Sequence, residues 1–291
     1  GIWPETYYYS TSEGFAFLAS QIKAERAKNP NTLLLDAGDT FQGNAFAQYF
    51  RNADPNPIAG GMNLLDYDAM TIGNHEFNFG PATFATMLGQ LNAPLLGTIN
   101  LDDDGSYGFI NDNVEDYINL DVNGLKVTIF GLTNPRVYRY ELPTNIPGLT
   151  FYSGLDTGFA AVPQILADET PDLLVGLTHM GYSPYGDEID SDLLLAEGVA
   201  GIDVIIGGHS HSFLDPAVMV TSDINPDGTL IAQSGRYATN LGKVNVGFVG
   251  GEVVMREGYL IPANDMAVDP DMEAYLQPFV DELDAYTSTV I

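Results

Sequence analysis

Short apolar runs bounded by Gly, Asp and Asn recur along the chain, separated by stretches with apolar residues at three- and four-residue spacing. The runs at 32–36, 69–72, 95–99, 173–178 and 203–206 are continuous rather than alternating, as in strands buried on both faces. The intervening spacing predicts helices over 14–28, 58–65, 81–91, 158–166 and 190–197, with Pro81 in a first turn, where its missing N–H is not needed. Two hairpins are predicted. Asn123-Gly124 joins 117–122 to 125–131, and Gly250-Gly251 joins 243–249 to 252–256. A last, mostly acidic helix covers 269–284. Strands alternating with helices read as an α/β fold, and no repeat, low-complexity run or linker divides residues 1–291, so one domain is expected.

Charge changes the picture more than bulk composition does. Ten Lys and Arg stand against 39 Asp and Glu, a formal charge of -29, yet only 17% of residues are charged. The acidity therefore comes from a shortage of basic residues, and the field it creates argues against wrapping a nucleic-acid polymer. An acidic, lysine-poor surface stays soluble in salt and points to a secreted, periplasmic or cell-surface protein. No cysteine occurs, which removes disulfides, thiolate nucleophiles and zinc–thiolate sites and leaves N and O donors for any metal. No apolar run approaches the ~20 residues of a membrane span. The chain opens on Gly1 without signal-peptide character and reads as processed or truncated.

Each of the four histidines follows a strand-like run. His75 lies in Gly73-Asn74-His75-Glu76, His179 follows 173–178, and His209 and His211 lie in Gly207-Gly208-His209-Ser210-His211. Asp36 and Asp39 sit at and just beyond the end of 32–36. Open α/β sheets bind ligands at strand C-termini, imidazoles with carboxylates suit Zn, Mn or Fe, and adjacent glycines allow close approach. One such histidine would more often be a cap or core residue, but four together point to a metal site. His209 and His211, two apart on an extended segment, would reach two different ions or opposite sides of one site.

The motifs Gly38-Asp39-Thr40-Phe41-Gln42-Gly43, Gly73-Asn74-His75-Glu76-Phe77, Thr178-His179-Met180-Gly181 and Gly208-His209-Ser210-His211 resemble, in order and spacing over 14–290, those of the calcineurin-like metallophosphoesterases. The resemblance is to the 5′-nucleotidase and 2′,3′-cyclic-nucleotide phosphodiesterase branch. It implies a four-layer double β-sandwich flanked by helices, and two divalent transition-metal ions (Zn, Mn or Fe) that activate a bridging water to attack phosphorus. It further implies that Asp39 bridges both ions, that Asn74, His179 and His209 complete the second ion, and that His211 serves the first. His75 then matches the catalytic histidine that stabilises phosphoryl oxygens or protonates the leaving group. The implied substrate is a small-molecule phosphoester, a nucleotide or cyclic nucleotide. Local metal charge would capture it despite the acidic surface.

Three departures qualify this. The family opens with Asp-x-His on its first strand, and no such motif occurs here. The chain is thus expected to begin one strand late, with Asp39 and His211 alone for the first ion and a cleaved or separate preceding segment. Asn78 stands where many 5′-nucleotidases carry the Asp that orients the catalytic histidine; an amide still accepts a hydrogen bond, and the same version resembles the cyclic phosphodiesterases. A C-terminal nucleotide-binding domain is expected to be absent. Arg136 and Arg139 are expected as surface or salt-bridge residues, tyrosines 7–9 as a packed or edge strand, and aspartates 102–104 as a solvated turn rather than a calcium loop. The alternative function is a catalytically impaired metal-binding surface or binding protein on the same fold; a sulfur-compound hydrolase also stays open.

Overall fold

A computed structural model describes residues 4–184 and 190–289, with side chains from residue 14 onward. In chain order the helices are α1 (Pro4–Lys28), α2 (Ala45–Phe50), α3 (Pro57–Leu64), α4 (Gly80–Leu88), α5 (Ile110–Asn113), α6 (Val137–Tyr140), α7 (Gly154–Glu169), α8 (Asp192–Gly198) and α9 (Pro270–Thr289). The strands are β1 (Leu35–Asp36), β2 (Ala69–Thr71), β3 (Leu95–Leu96), β4 (Leu101–Asp103), β5 (Val114–Glu115), β6 (Tyr117–Val122), β7 (Leu125–Leu132), β8 (Leu149–Phe151), β9 (Leu173–Thr178), β10 (Val204–Gly207), β11 (Val218–Val220), β12 (Thr229–Ala232), β13 (Asn240–Val249) and β14 (Glu252–Pro262).

Two principal sheets form. One is parallel, in the order β1-β2-β3-β5. The other runs β11-β12-β10-β9-β7-β6, with a parallel centre and an antiparallel strand at each edge. The continuous apolar runs are explained by what covers them. Along β9, Leu173, Val175 and Leu177 pack with Ala69 and Leu96 of the other sheet, while Leu174 faces Val162 and Ile165 of α7 and Leu195 of α8. Met70 and Leu95 turn the opposite way, onto α1, α3 and α4. Period-two side chains are thus apolar on both faces because each sheet is buried on both. The order of layers is helices, sheet, sheet, helices, the expected double sandwich.

Both hairpins form with the predicted turns. Asn123 and Gly124 have φ of 55° and 85°, Gly250 and Gly251 of 64° and 93°, the left-handed pairs that match strand twist. Other expectations need correction. The strands at 32–36 and 95–99 shrink to two residues each, because pairing to β2 and β5 lasts only that long before Gly38 and Gly97 turn the chain. Tyrosines 7–9 lie within α1, not in a strand; the helix starts at Pro4, a residue suited to a first turn. Residues 102–104 are not a solvated turn: Asp103 belongs to β4, is buried, and accepts the Gly105, Tyr107 and Gly108 amides at 2.9, 3.1 and 3.2 Å. Residues 1–3, thought to follow a missing strand, lie outside the described residues.

Asp269 joins α9 to α1. It accepts the Met272 amide at 2.9 Å, an N-cap bond, and both its oxygens lie 2.7 Å from Lys23 Nζ. Burial alone would raise its pKa, but the Lys23 ammonium and the backbone amides of Met272 and Asp271 outweigh it and hold it below the usual range. Asp269→Ala should cost about 1–2 kcal/mol in urea denaturation near pH 7, and Asp269→Asn, which still caps, distinctly less. A depressed carboxyl contributes stability above its unfolded pKa of about 3.9 and loses it as pH falls through the folded value. The difference between wild type and Asp269→Asn should therefore shrink as pH falls below about 4.

Candidate metal centre

Four strand ends from both sheets converge. Asp39 follows β1, Asn74 and His75 follow β2, His179 follows β9, and His209 and His211 follow β10. Ligand atoms of Asp39, His179 and His209 all lie within 4.8 Å of one another. Asn74 joins them, its Oδ1 2.9 Å from His209 Nδ1. His211 does not belong to this cluster. Its ring centroid lies 6.0 Å from that of Tyr237, and burial together with the nearby Arg236 charge lowers its pKa.

Glu76 builds the floor of the site. Fully buried, it accepts the Asp39 and Gly73 amides at 2.8 Å on Oε2, and those of Thr40 and Phe41 at 2.7 and 3.3 Å on Oε1. Burial and the Asp39 charge push its pKa up to about 7, against the pull of those amides. The loops after β1 and β2 are thereby fastened together. Asp39, at φ 65°, then accepts the His75 amide at 2.8 Å on Oδ1 and places Oδ2 2.9 Å from His179 Nε2.

The buried His179 ring is fixed from behind, because its Nδ1 donates to the Ala37 carbonyl at 2.5 Å. This commits the proton to Nδ1 and leaves Nε2 as the ligating atom. Although close to Asp39, Nε2 has no aligned hydrogen-bond partner among the described residues. A buried, unpartnered imidazole nitrogen beside a carboxylate, a carboxamide oxygen and a second imidazole is a donor set that fits a divalent ion. Burial acts to lower the His179 pKa, but Asp39 and the Ala37 carbonyl raise it to about 9; a metal ion would displace that proton. Asp39 itself is held far below the usual range: burial raises it, and the His179 and His75 rings prevail.

Several residues of the site had no role in the sequence reading. Glu76 lay inside a quoted motif. Gln233, on no motif, accepts Ser210 Oγ at 2.9 Å and the Ser212 amide at 2.5 Å and donates to the Gly208 carbonyl at 2.8 Å, holding the loop that carries His209 and His211 at φ 70° and 54°. The loop with Arg136 and Arg139, expected merely at the surface, borders the centre: the Tyr140 ring centroid is 5.7 Å from that of His209. His75 and Asn78 do meet, with Nδ1 2.8 Å from Oδ1.

A sequence profile described as Calcineurin-like phosphoesterase matches residues 11–213, more than half of the chain. The chain belongs to this family. It is 30% identical to the trifunctional nucleotide phosphoesterase protein YfkN of Bacillus subtilis (strain 168), over 98% of this chain and 21% of that protein. It is also 30% identical to a 5′-nucleotidase of Diplobatis ommata, over 96% of this chain and 49% of that one. The crystal structure of a 5′-nucleotidase precursor from Thermus thermophilus superposes with a TM-score of 0.78 at 27% identity, over 93% of this chain and 53% of the other. The chain thus spans a fifth to about half the length of these relatives, and the calcineurin-like phosphoesterase architecture extends over nearly all of it.

A Cβ on Gly208 would stand 2.7 Å from both the Ala37 carbonyl oxygen and His179 Nδ1. Gly208→Ala should therefore displace the His179 ring and weaken metal affinity ~10- to 100-fold, the usual effect of disturbing a ligand's outer partner. Metal content after dialysis against a graded chelator buffer measures it; unchanged retention would contradict the role of the Ala37 bond.

Proposed function

We propose that this chain is the catalytic part of a metal-dependent phosphoester hydrolase acting on nucleotides, of the 5′-nucleotidase or 2′,3′-cyclic phosphodiesterase type. The convergence of Asp39, Asn74, His179 and His209 around the unpartnered His179 Nε2 carries this reading. These four residues would hold one divalent transition-metal ion, and Asp39 with His211 would contribute to another. When bound, the ions neutralise phosphoryl charge and lower the pKa of a water that attacks phosphorus.

The chain's own groups do the rest. Asp39 accepts the His75 amide while facing His179, so a single carboxylate sets the distance between ligand and catalytic residue. Asn78 Oδ1 faces His75 Nδ1, so that Nε2, once protonated, would donate to a phosphoryl or leaving-group oxygen. The distant acidic surface does not bar such an anion, because it is screened over about 10 Å in 0.1 M salt. An extracytoplasmic setting suits this acidic, lysine-poor composition; among the described residues no helix is long and apolar enough to cross a membrane.

His75→Ala should lower turnover of p-nitrophenyl phosphate or its bis-ester ~10²- to 10⁴-fold while metal content stays constant. His179→Ala should lose metal and turnover together. Among the described residues a single cluster of three such ligands, Asp39 with His179 and His209, supports the second reading, a metal-binding protein impaired in catalysis. About two ions per chain with hydrolysis decides for the enzyme. One ion or none, without hydrolysis of either ester, decides for the binder.

A further inference from the structure

The hydrogen bonds behind His75 do not stop at Asn78. The Asn78 Nδ2 donates to Oε1 of Glu141, a buried residue at the C-terminus of α6 and 63 positions along the chain. Glu141 Oε2 accepts Asn145 Nδ2 at 3.1 Å, and the same Asn145 group donates to the Asn78 carbonyl at 2.8 Å. Each amide and carboxylate in this chain of contacts is therefore held from a second direction.

An asparagine beside a histidine is ambiguous. It can offer its oxygen, which demands Nδ1–H, or its NH₂, which demands a bare Nδ1 and moves the proton to Nε2. Only the first lets Nε2 take up a proton, giving an imidazolium whose Nδ1–H stays on Asn78 and whose Nε2–H can be given to a substrate oxygen. A carboxylate accepts and never donates, so Glu141 can bind Asn78 only through Nδ2, and Oδ1 is turned to His75. Asn145 engages the backbone carbonyl of Asn78, not its side chain.

We propose that Glu141 is a positioning residue for His75, acting through Asn78 to select the Nδ1–H tautomer, so that the Asn–Glu pair performs together what a single directly bonded carboxylate would do. The proposal rests on the catalytic reading of His75 given above, but the tautomer is measurable without it. The distribution of roles has a chemical consequence. Removing the carboxylate from Glu141 and placing one at Asn78 should be compensating changes. Glu141→Gln lets the Asn78 amide turn over, whereas Asn78→Asp in the same protein cannot turn over, because both its oxygens accept.

The test uses the zinc-loaded protein with bis-p-nitrophenyl phosphate as probe, together with ¹⁵N NMR of the His75 ring. In wild type the neutral ring should carry its proton on Nδ1; a proton on Nε2 overturns the proposal, with no variant required. Glu141→Gln should lower kcat about tenfold or more with KM changed less than about threefold, and should move ring proton population to Nε2. Asn78→Asp combined with Glu141→Gln should restore both kcat and the Nδ1–H signal to within about threefold of wild type. Unchanged kcat and tautomer in Glu141→Gln, or a double variant no better than the single one, overturns the proposal. Should His75→Ala keep full turnover, the catalytic reading of His75 falls, and the NMR arms alone then decide whether Glu141 sets the tautomer.

Discussion

The site depends on one buried carboxylate with no place among the metal ligands. Glu76 collects four backbone amides, from Asp39, Thr40, Phe41 and Gly73, and so fastens the loop after β1 to the loop after β2. Each buried amide left unpaired would cost about 1–3 kcal/mol, so this arrangement is strongly preferred over any in which the loops separate. Its geometric result is that Asp39 stands against His179, a residue from the other sheet. The two halves of the sandwich meet chemically at this point, beside an interface built largely of aliphatic side chains.

The ligand-bearing loops are also strained. Asp39, His209 and His211 all have positive φ, a conformation that costs a non-glycine residue about 1–3 kcal/mol and persists only where its surroundings insist on it. Glu76 supplies that insistence for the first loop and Gln233 for the second. Both are buried, and both make backbone contacts that hold the chain path rather than contacts to a ligand. These bonds hold the donors in place through the chain path, which is what a tight metal site needs.

Much of the fold was legible because burial leaves a simple mark. Strands covered on both faces must be apolar throughout, so β2, β9 and β10 stood out as unbroken runs, and Asn123-Gly124 announced its hairpin through the left-handed conformation those residues tolerate. The short strands β4, β8, β11 and β12 left no such mark, since three or four residues show no period. Tyrosines 7–9 misled because aromatic β-propensity is weak against a helix already begun at Pro4. Asp103 misled because a lone aspartate looks the same whether it faces water or organises three amides.

The chemical set was determined by sequence alone: with no cysteine and all four histidines placed after apolar strands, any metal had to be held by imidazole, carboxylate and carboxamide groups at strand ends. The charge arithmetic likewise argued against a nucleic-acid polymer as partner. Tertiary structure decided which of these groups converge, drawing Asp39, Asn74, His179 and His209 together and leaving His211 aside. It alone revealed Glu76 and Gln233, which hold the ligand-bearing loops, and the contact of Glu141 with Asn78. The reason is physical: a ligand's identity is written in its own side chain, but its orientation is set by hydrogen bonds from partners such as Ala37, 142 positions from His179, and Glu141, 63 from Asn78, separations over which sequence carries no directional signal.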